Sequence, residues 1–271
     1  MNTNKKLAEK EIKKHLKSDA LVRVFGNIDS TNNEAKRLAE GGFFSPALIL
    51  AEEQSAGRGR LGRSFYSPES TGLYFTVIIP VNFPLEDITL ITPAAAVAVH
   101  RTLSQFTDKK LFIKWVNDIY CEDKKICGIL AEALSSTETG IIRAVAVGIG
   151  INLSTKDFPK DISSVASSLA LENADRNHIA ASIANELFSF AKKLSKREFI
   201  SEYRKYSYVT GKDIFFIQGE KTTNARVLDI DDDGGLAVLL ENGETTTLRG
   251  GEISVRIKKA PSGRELSALA N

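Results

Sequence analysis

Three apolar, β-branched segments follow one another between residues 111 and 152 with no helix between them. They cover residues 111–117, 125–134 and 141–152, with a hairpin turn over 120–126. Strands that succeed one another through turns pair antiparallel, so at least part of the sheet is antiparallel. Residues 47–52 and 72–80 read as two further strands, the second rich in aromatic and β-branched side chains. Helical periods cover 5–17, 87–106 and 176–206, and a short helix begins near Thr31. In the 87–106 segment the run Ala94 to Val99 is small and apolar, which predicts burial, and Pro93 sits in the first turn or kinks the helix. Thr31-x-x-Glu34 has the spacing of a capping box, and Gly41-Gly42 is a stop signal. The expectation is an α+β fold: a mixed β-sheet flanked by helices.

The character changes after Gly211. Residues 213–219, 225–230, 236–241 and 245–248 read as short strands joined by Asp-Gly-Gly and Asn-Gly turns, which supply positive φ cheaply. About 50 such residues predict a small β-barrel behind the larger domain. The residues from 258 onward are polar and read as a frayed tail.

Composition narrows the class. The 271 residues are 42% hydrophobic and 26% charged, with a net charge of +2, which suits one large or two unequal globular domains. That balance excludes nucleic-acid binding by bulk charge, though not by a local patch. No apolar run approaches the length of a membrane helix, and the charged N-terminus lacks the apolar core of a secretory signal. Cys121 and Cys127 stand six apart, which fits neither a redox CxxC nor a zinc pattern; so few thiols suggest a reducing compartment, the cytoplasm. His15, His100 and His178 lie in separate helical runs and read as surface or satisfied side chains.

Four stretches carry chemistry. Gly57-Arg58-Gly59-Arg60-Leu61-Gly62-Arg63 contains GxGxxG, yet a Ser-Pro turn and a strand follow it, whereas the dinucleotide fingerprint needs a helix there. A mobile loop explains it better: glycines permit close backbone approach, and Arg58, Arg60 and Arg63 offer forked donors to carboxylate or phosphate. Lys114-Trp-Val-Asn117-Asp118 places a lysine among apolar residues, where it needs an anion or a neighbouring carboxylate such as Asp118. Lys125-Ile-Cys-Gly128-Ile129-Leu130 and Gly148-Ile-Gly150-Ile-Asn152 put glycines inside strands, a mark of close backbone or ligand approach.

In this order, and preceded by Asp29-Ser30-Thr31-Asn32, these stretches resemble biotin protein ligases, whose pattern runs through a GRGRxGR loop, a KWPND strand, a KxxGIL strand and a GxGxN strand. Val116 replaces the usual proline, and Phe65 stands where many members have tryptophan. The resemblance implies a class II synthetase-like catalytic domain over 21–210, a short N-terminal helix over 1–20, an SH3-like barrel over 211–257 and a tail over 258–271. It implies activation of biotin with ATP and Mg²⁺, then transfer to a lysine of a biotin carboxyl carrier protein. It assigns Lys114, with Arg58 and Arg60, to catalysis. It assigns Ser30, Thr31, Gln54, Gly57, Arg58, Arg60, Lys114, Gly128 and Ile129 to biotin. The adenylate falls to Arg58, Arg60, Arg63, Phe65, Asn117, Asp118 and Asn152, and the metal to Asp118. Some relatives bind DNA through an N-terminal domain of about 60 residues; only some 20 precede the ligase start here, so no DNA binding is expected. Homodimers occur among relatives, and one is possible here. Two rivals remain: a lipoate-type ligase of the same fold, and a non-enzymatic RNA- or protein-binding module.

Overall fold

The computed structural model describes residues 5–250 and 253–257. It divides into two compact units, Met1–Tyr206 and Ser207–Asn271. The first is built on seven strands: β1 (Leu21–Ile28), β2 (Ala47–Gln54), β3 (Gly72–Pro80), β4 (Leu111–Lys114), β5 (Asp118–Cys121), β6 (Lys124–Ser135) and β7 (Ile142–Asn152). Their spatial order is β1-β2-β3-β7-β6-β5-β4; β1 and β2 are parallel and every other pair is antiparallel. The sheet is therefore mixed, and its antiparallel part is the one the strand succession requires. The expected strand over 111–117 ends at Lys114, and residues 115–117 form the turn into β5.

Among the described residues five α-helices accompany the sheet: α1 (Glu9–His15), α2 (Thr31–Glu40), α3 (Ile91–Leu103), α4 (Arg176–Ala191) and α5 (Ile200–Lys205). β3 is buried at every position from Gly72 to Ile79, so both faces of the sheet are covered there. On one face, Ala35 and Ala39 of α2 pack against Ile49, Ile78, Leu134 and Ala146. Small residues on the helix let it lie close to the strands, and the buried aliphatics supply the hydrophobic drive. α3 and α4 pack together and cover the other face through β6 and β3. Pro93 lies in the first turn of α3, where its missing N–H costs no bond.

The capping box does not form. Ser30 is the N-cap of α2 without a side-chain cap bond. Thr31 instead turns its hydroxyl to Gln54 (3.1 Å), and the Thr31 N–H donates to the same Gln54 oxygen (2.9 Å). The polar groups at this helix start thus face across to β2. Gly42 closes the helix with φ +81°, a conformation glycine adopts without strain.

The second unit holds β8 (Asp213–Gln218), β9 (Lys221–Ile230), β10 (Leu236–Leu240), β11 (Thr245–Leu248) and β12 (Ser254–Ile257). They form one antiparallel sheet in the order β11-β10-β9-β8-β12. Among the described residues β11 and β12 lie at opposite ends and do not pair, so the sheet is open. The expected SH3-like barrel is not present, because closure needs a ladder between the first and last strands. The expected tail over 258–271 lies outside the described residues.

Candidate active site

A row of cross-strand neighbours runs through the site, Tyr74 of β3, Gly150 of β7, Gly128 of β6, Asp118 of β5 and Lys114 of β4, and its two glycines form the cavity floor. Directly paired residues share a face of the sheet. The two central members are glycines, so backbone is bared there. A Cβ on Gly150 would stand 2.5 Å from the Phe65 ring, and one on Gly128 would meet Lys125 Nζ at 2.9 Å and the Phe65 ring at 3.3 Å. Gly148, one strand position-pair away, is equally constrained, since a Cβ there would fall 2.2 Å from Asn32 Oδ1.

Above this floor lies a cavity of about 40 Å³. Its walls are Ser30, Thr31 and Asn32 from the start of α2, Gln54 from the end of β2, Arg58 to Arg60 and Phe65 from the Gly-Arg loop, and Asn117 and Lys125. A space that small holds only a few waters. Phe65 accounts for much of the filling, because its ring lies against both floor glycines.

Lys125 reaches the cavity through a β-bulge. Ile119 pairs with Cys127 and Tyr120 with Lys125, so Ile126 is the extra residue between them. The bulge re-aims one side chain. It returns Lys125 to the face of Gly128, where its ammonium pairs with Asp118 at 2.7 Å. Lys114 shares that face but sits on the edge strand, outside the cavity lining, and donates to Tyr120 Oη at 3.1 Å.

The Gly-Arg loop is ordered over this site. The Gly59 N–H donates to the Arg63 carbonyl, and the Phe65 N–H to the Gly57 carbonyl. Arg58 donates to Asn33 Oδ1 (2.9 Å) and pairs with Glu132 (3.3 Å). Arg60 donates to Asn117 Oδ1 at 3.0 Å. Burial pulls the Arg60 guanidinium below its ordinary value, and the Asp118 carboxylate opposes that shift. Asn117 is itself held by Ile129, donating to its carbonyl at 2.7 Å and accepting its N–H at 2.9 Å. Gly57 is locked in place: a Cβ there would come within 2.4 Å of the Phe65 carbonyl. Arg63 is exposed, and Asn152 is buried with its amide donated to the Ser167 carbonyl at 3.0 Å.

The structure thus gathers Ser30, Thr31, Gln54, Arg58, Arg60, Phe65, Asn117, Gly128 and Ile129 around one cavity. It leaves Gly57, Lys114, Arg63, Asp118 and Asn152 outside the lining. It adds Asn32, Lys125, Gly148 and Gly150, to which the resemblance assigned no ligand although all four stand in the quoted motifs.

Two family patterns match the chain: the biotin/lipoate A/B protein ligase family over residues 24–152, and the biotin protein ligase C-terminal domain over 210–256. The bifunctional ligase/repressor BirA of Bacillus subtilis is 31% identical over 252 residues, covering 88% of this chain and 76% of that protein. This chain belongs to the biotin protein ligase family. The biotin–[acetyl-CoA-carboxylase] ligase of Mycobacterium tuberculosis is 26% identical over 85% of this ligase-family chain and 87% of its own. Among solved structures, the biotin protein ligase of Aquifex aeolicus in complex with biotin and ATP superposes with a TM-score of 0.74 at 26% identity, covering 88% of this chain and 99% of that one.

Proposed function

We propose that this chain is an ATP-dependent biotin ligase that makes biotinyl-5′-AMP and passes the biotinyl group to a lysine of a biotin carboxyl carrier protein. The observation that carries this is the likeness, over nearly all of the Aquifex chain, to a structure holding both biotin and ATP. The cavity chemistry agrees. In the first step a biotin carboxylate oxygen bonds to the α-phosphorus, and the bond to the β-phosphate bridge breaks, releasing pyrophosphate. Two anions must meet, so fixed cations lower the barrier. In the second step the carrier amine attacks the biotinyl carbonyl, losing a proton, and AMP leaves.

Lys125 is the central cation in this reading, because its ammonium enters the cavity beside the bared floor. Lys114, one edge strand away on Tyr120, takes the supporting place. Arg58 and Arg60 add forked donors from the loop, and Arg63 joins them as the loop closes. Thr31 and Gln54, already bonded to each other, offer hydroxyl and amide groups to a biotin ureido ring, with Ser30 beside them. Phe65 leaves the glycine floor to admit the biotin tail and then covers adenine with Asn117 and Asn152. Closure excludes water from the mixed anhydride.

The residues present do not fit a resident metal. Asp118 is taken by Lys125, and no group of three His, Cys, Asp or Glu side chains converges among the described residues. Magnesium therefore arrives with the nucleotide substrate. No helix among the described residues is long and apolar enough to cross a membrane. The supply of ATP and two buried free thiols fit a cytoplasmic enzyme.

Pyrophosphate release from the purified chain with ATP and Mg²⁺ tests the reading. Release is expected with biotin and not with lipoate, and a carrier domain should become labelled. Release with lipoate alone, or retention of RNA without pyrophosphate, overturns it.

A further inference from the structure

Glu132 of β6 lies outside the cavity lining and has no part in the reaction just described. Three donors from two other segments nevertheless converge on its carboxylate. Lys36 Nζ meets Oε1 at 2.7 Å, Arg58 Nη2 meets the same oxygen at 3.3 Å, and Asn32 Nδ2 donates to Oε2 at 2.8 Å. Asn32 and Lys36 are four apart on α2 and so share a face of the helix. Arg58 belongs to the Gly-Arg loop and is itself half-exposed, at 43%. The Glu132 side chain is 18% exposed.

The bonds of Asn32 extend the arrangement inward. With its amide nitrogen given to Glu132, its oxygen accepts from the Thr76 hydroxyl at 2.6 Å, and that hydroxyl lies 2.8 Å from the hydroxyl of Thr31. Gly148 leaves the room that Asn32 fills. One carboxylate therefore ties the loop, the start of α2 and the cavity wall together. A charge in this half-buried place is stable only because it is paired. Burial alone raises its pKa, but the Lys36 and Asn32 bonds outweigh that and hold it below the usual range. A carboxylate kept ionised by two cations is a weak proton acceptor, which argues against a general base.

We propose that Glu132 is a positioning residue: it anchors the Gly-Arg loop through Arg58 and sets the Asn32 amide, so that the arginines stand beside the cavity before substrate arrives. The kinetic part of this rests on the ligase reading above; the anchoring part does not. Preorganised groups spare the substrate the cost of ordering them.

Glu132→Gln keeps the shape and removes the charge. Trypsin cuts after arginine, so it reports loop opening at Arg58, Arg60 and Arg63 in the ligand-free chain. Cleavage there should rise about fivefold, the scale of a half-exposed ion pair, while cleavage elsewhere stays at the wild-type rate. In biotin-dependent pyrophosphate release the biotin KM should rise with kcat kept at saturation, a split that general loss of structure would not give. Wild-type cleavage with an unchanged KM overturns the proposal. If Glu132→Gln fails to fold, Arg58→Gln probes the same contact from the exposed loop. Cleavage at Arg60 and Arg63 must then rise by a similar factor, and no rise overturns the proposal. If the wild type releases no pyrophosphate yet loop cleavage rises in the variant, the ligase reading fails and the anchor stands.

Discussion

A lysine's reach, more than its place in a motif, decides what it can do here. Lys125 lies over Gly128 beside the cavity, whereas Lys114 rests on Tyr120 at the edge strand. Lys125→Met is expected to slow single-turnover formation of biotinyl-AMP by about 100-fold, the cost of removing one aimed electrostatic donor. Lys114→Met should cost less than about tenfold in the same measurement; the reverse order would return the central role to Lys114. The motifs made most of the cavity legible, since glycines inside strands mark close approach, and Gly128 and Gly150 sit under Phe65 as that rule expects. Lys125 was not legible in the same way. Strict alternation puts residues three apart on opposite faces, and only the bulge at Ile126 brings Lys125 back to the side of Gly128. Thr31 misled for a related reason: its capping-box spacing is real, but its hydroxyl is spent on Gln54.

At the scale of elements, the helices came through better than the strands. α3 and α4 announce themselves by long apolar stripes, whereas β1 alternates poorly between buried and exposed positions and carried no signal. The contacts that fasten elements are less legible still. On α4, Asn177 bonds the backbone of Lys6 and Ala8, and Asn185 bonds that of His15 and Lys17, so two amides eight residues apart strap the segment around α1 to the helix. Such pairs need the partner's position, which no local pattern supplies. α3 is fastened to β4 by His100, whose ring nitrogen lies 3.1 Å from the Leu111 carbonyl and whose ring lies tilted against Tyr206. Burial lowers the His100 pKa from 6.5, and the Leu111 contact only partly opposes that. The unfolded chain then binds more protons than the folded one between the two pKa values. This contribution to stability is complete above about pH 6.5 and is lost as pH falls through 6.5 toward the folded value. The thermal midpoint should therefore drop over that interval, and His100→Asn should flatten the drop. An unchanged slope in the variant would assign the pH dependence elsewhere.

The whole molecule is two units, and ligand should distinguish them. The cavity belongs to Met1–Tyr206. Biotin and ATP, each at about 100 times its dissociation constant, are expected to stabilise that unit by about 2.7 kcal/mol apiece. Calorimetry should show its transition moving up; a transition indifferent to both ligands would detach the cavity from the proposed substrates. The C-terminal strands themselves were legible from their Asn-Gly and Asp-Gly-Gly turns, but closure was not. It depends on whether β11 and β12 meet, and that is a property of distant registers rather than of any turn. An open sheet has a consequence that a closed one escapes. Backbone donors and acceptors along its outer rims are available for pairing with another chain at high concentration. Among the described residues both rims are only four residues long, and Thr245, Thr246 and Thr247 on one of them are exposed and hydroxylated. So brief and polar a margin gives a stray strand little to zip onto.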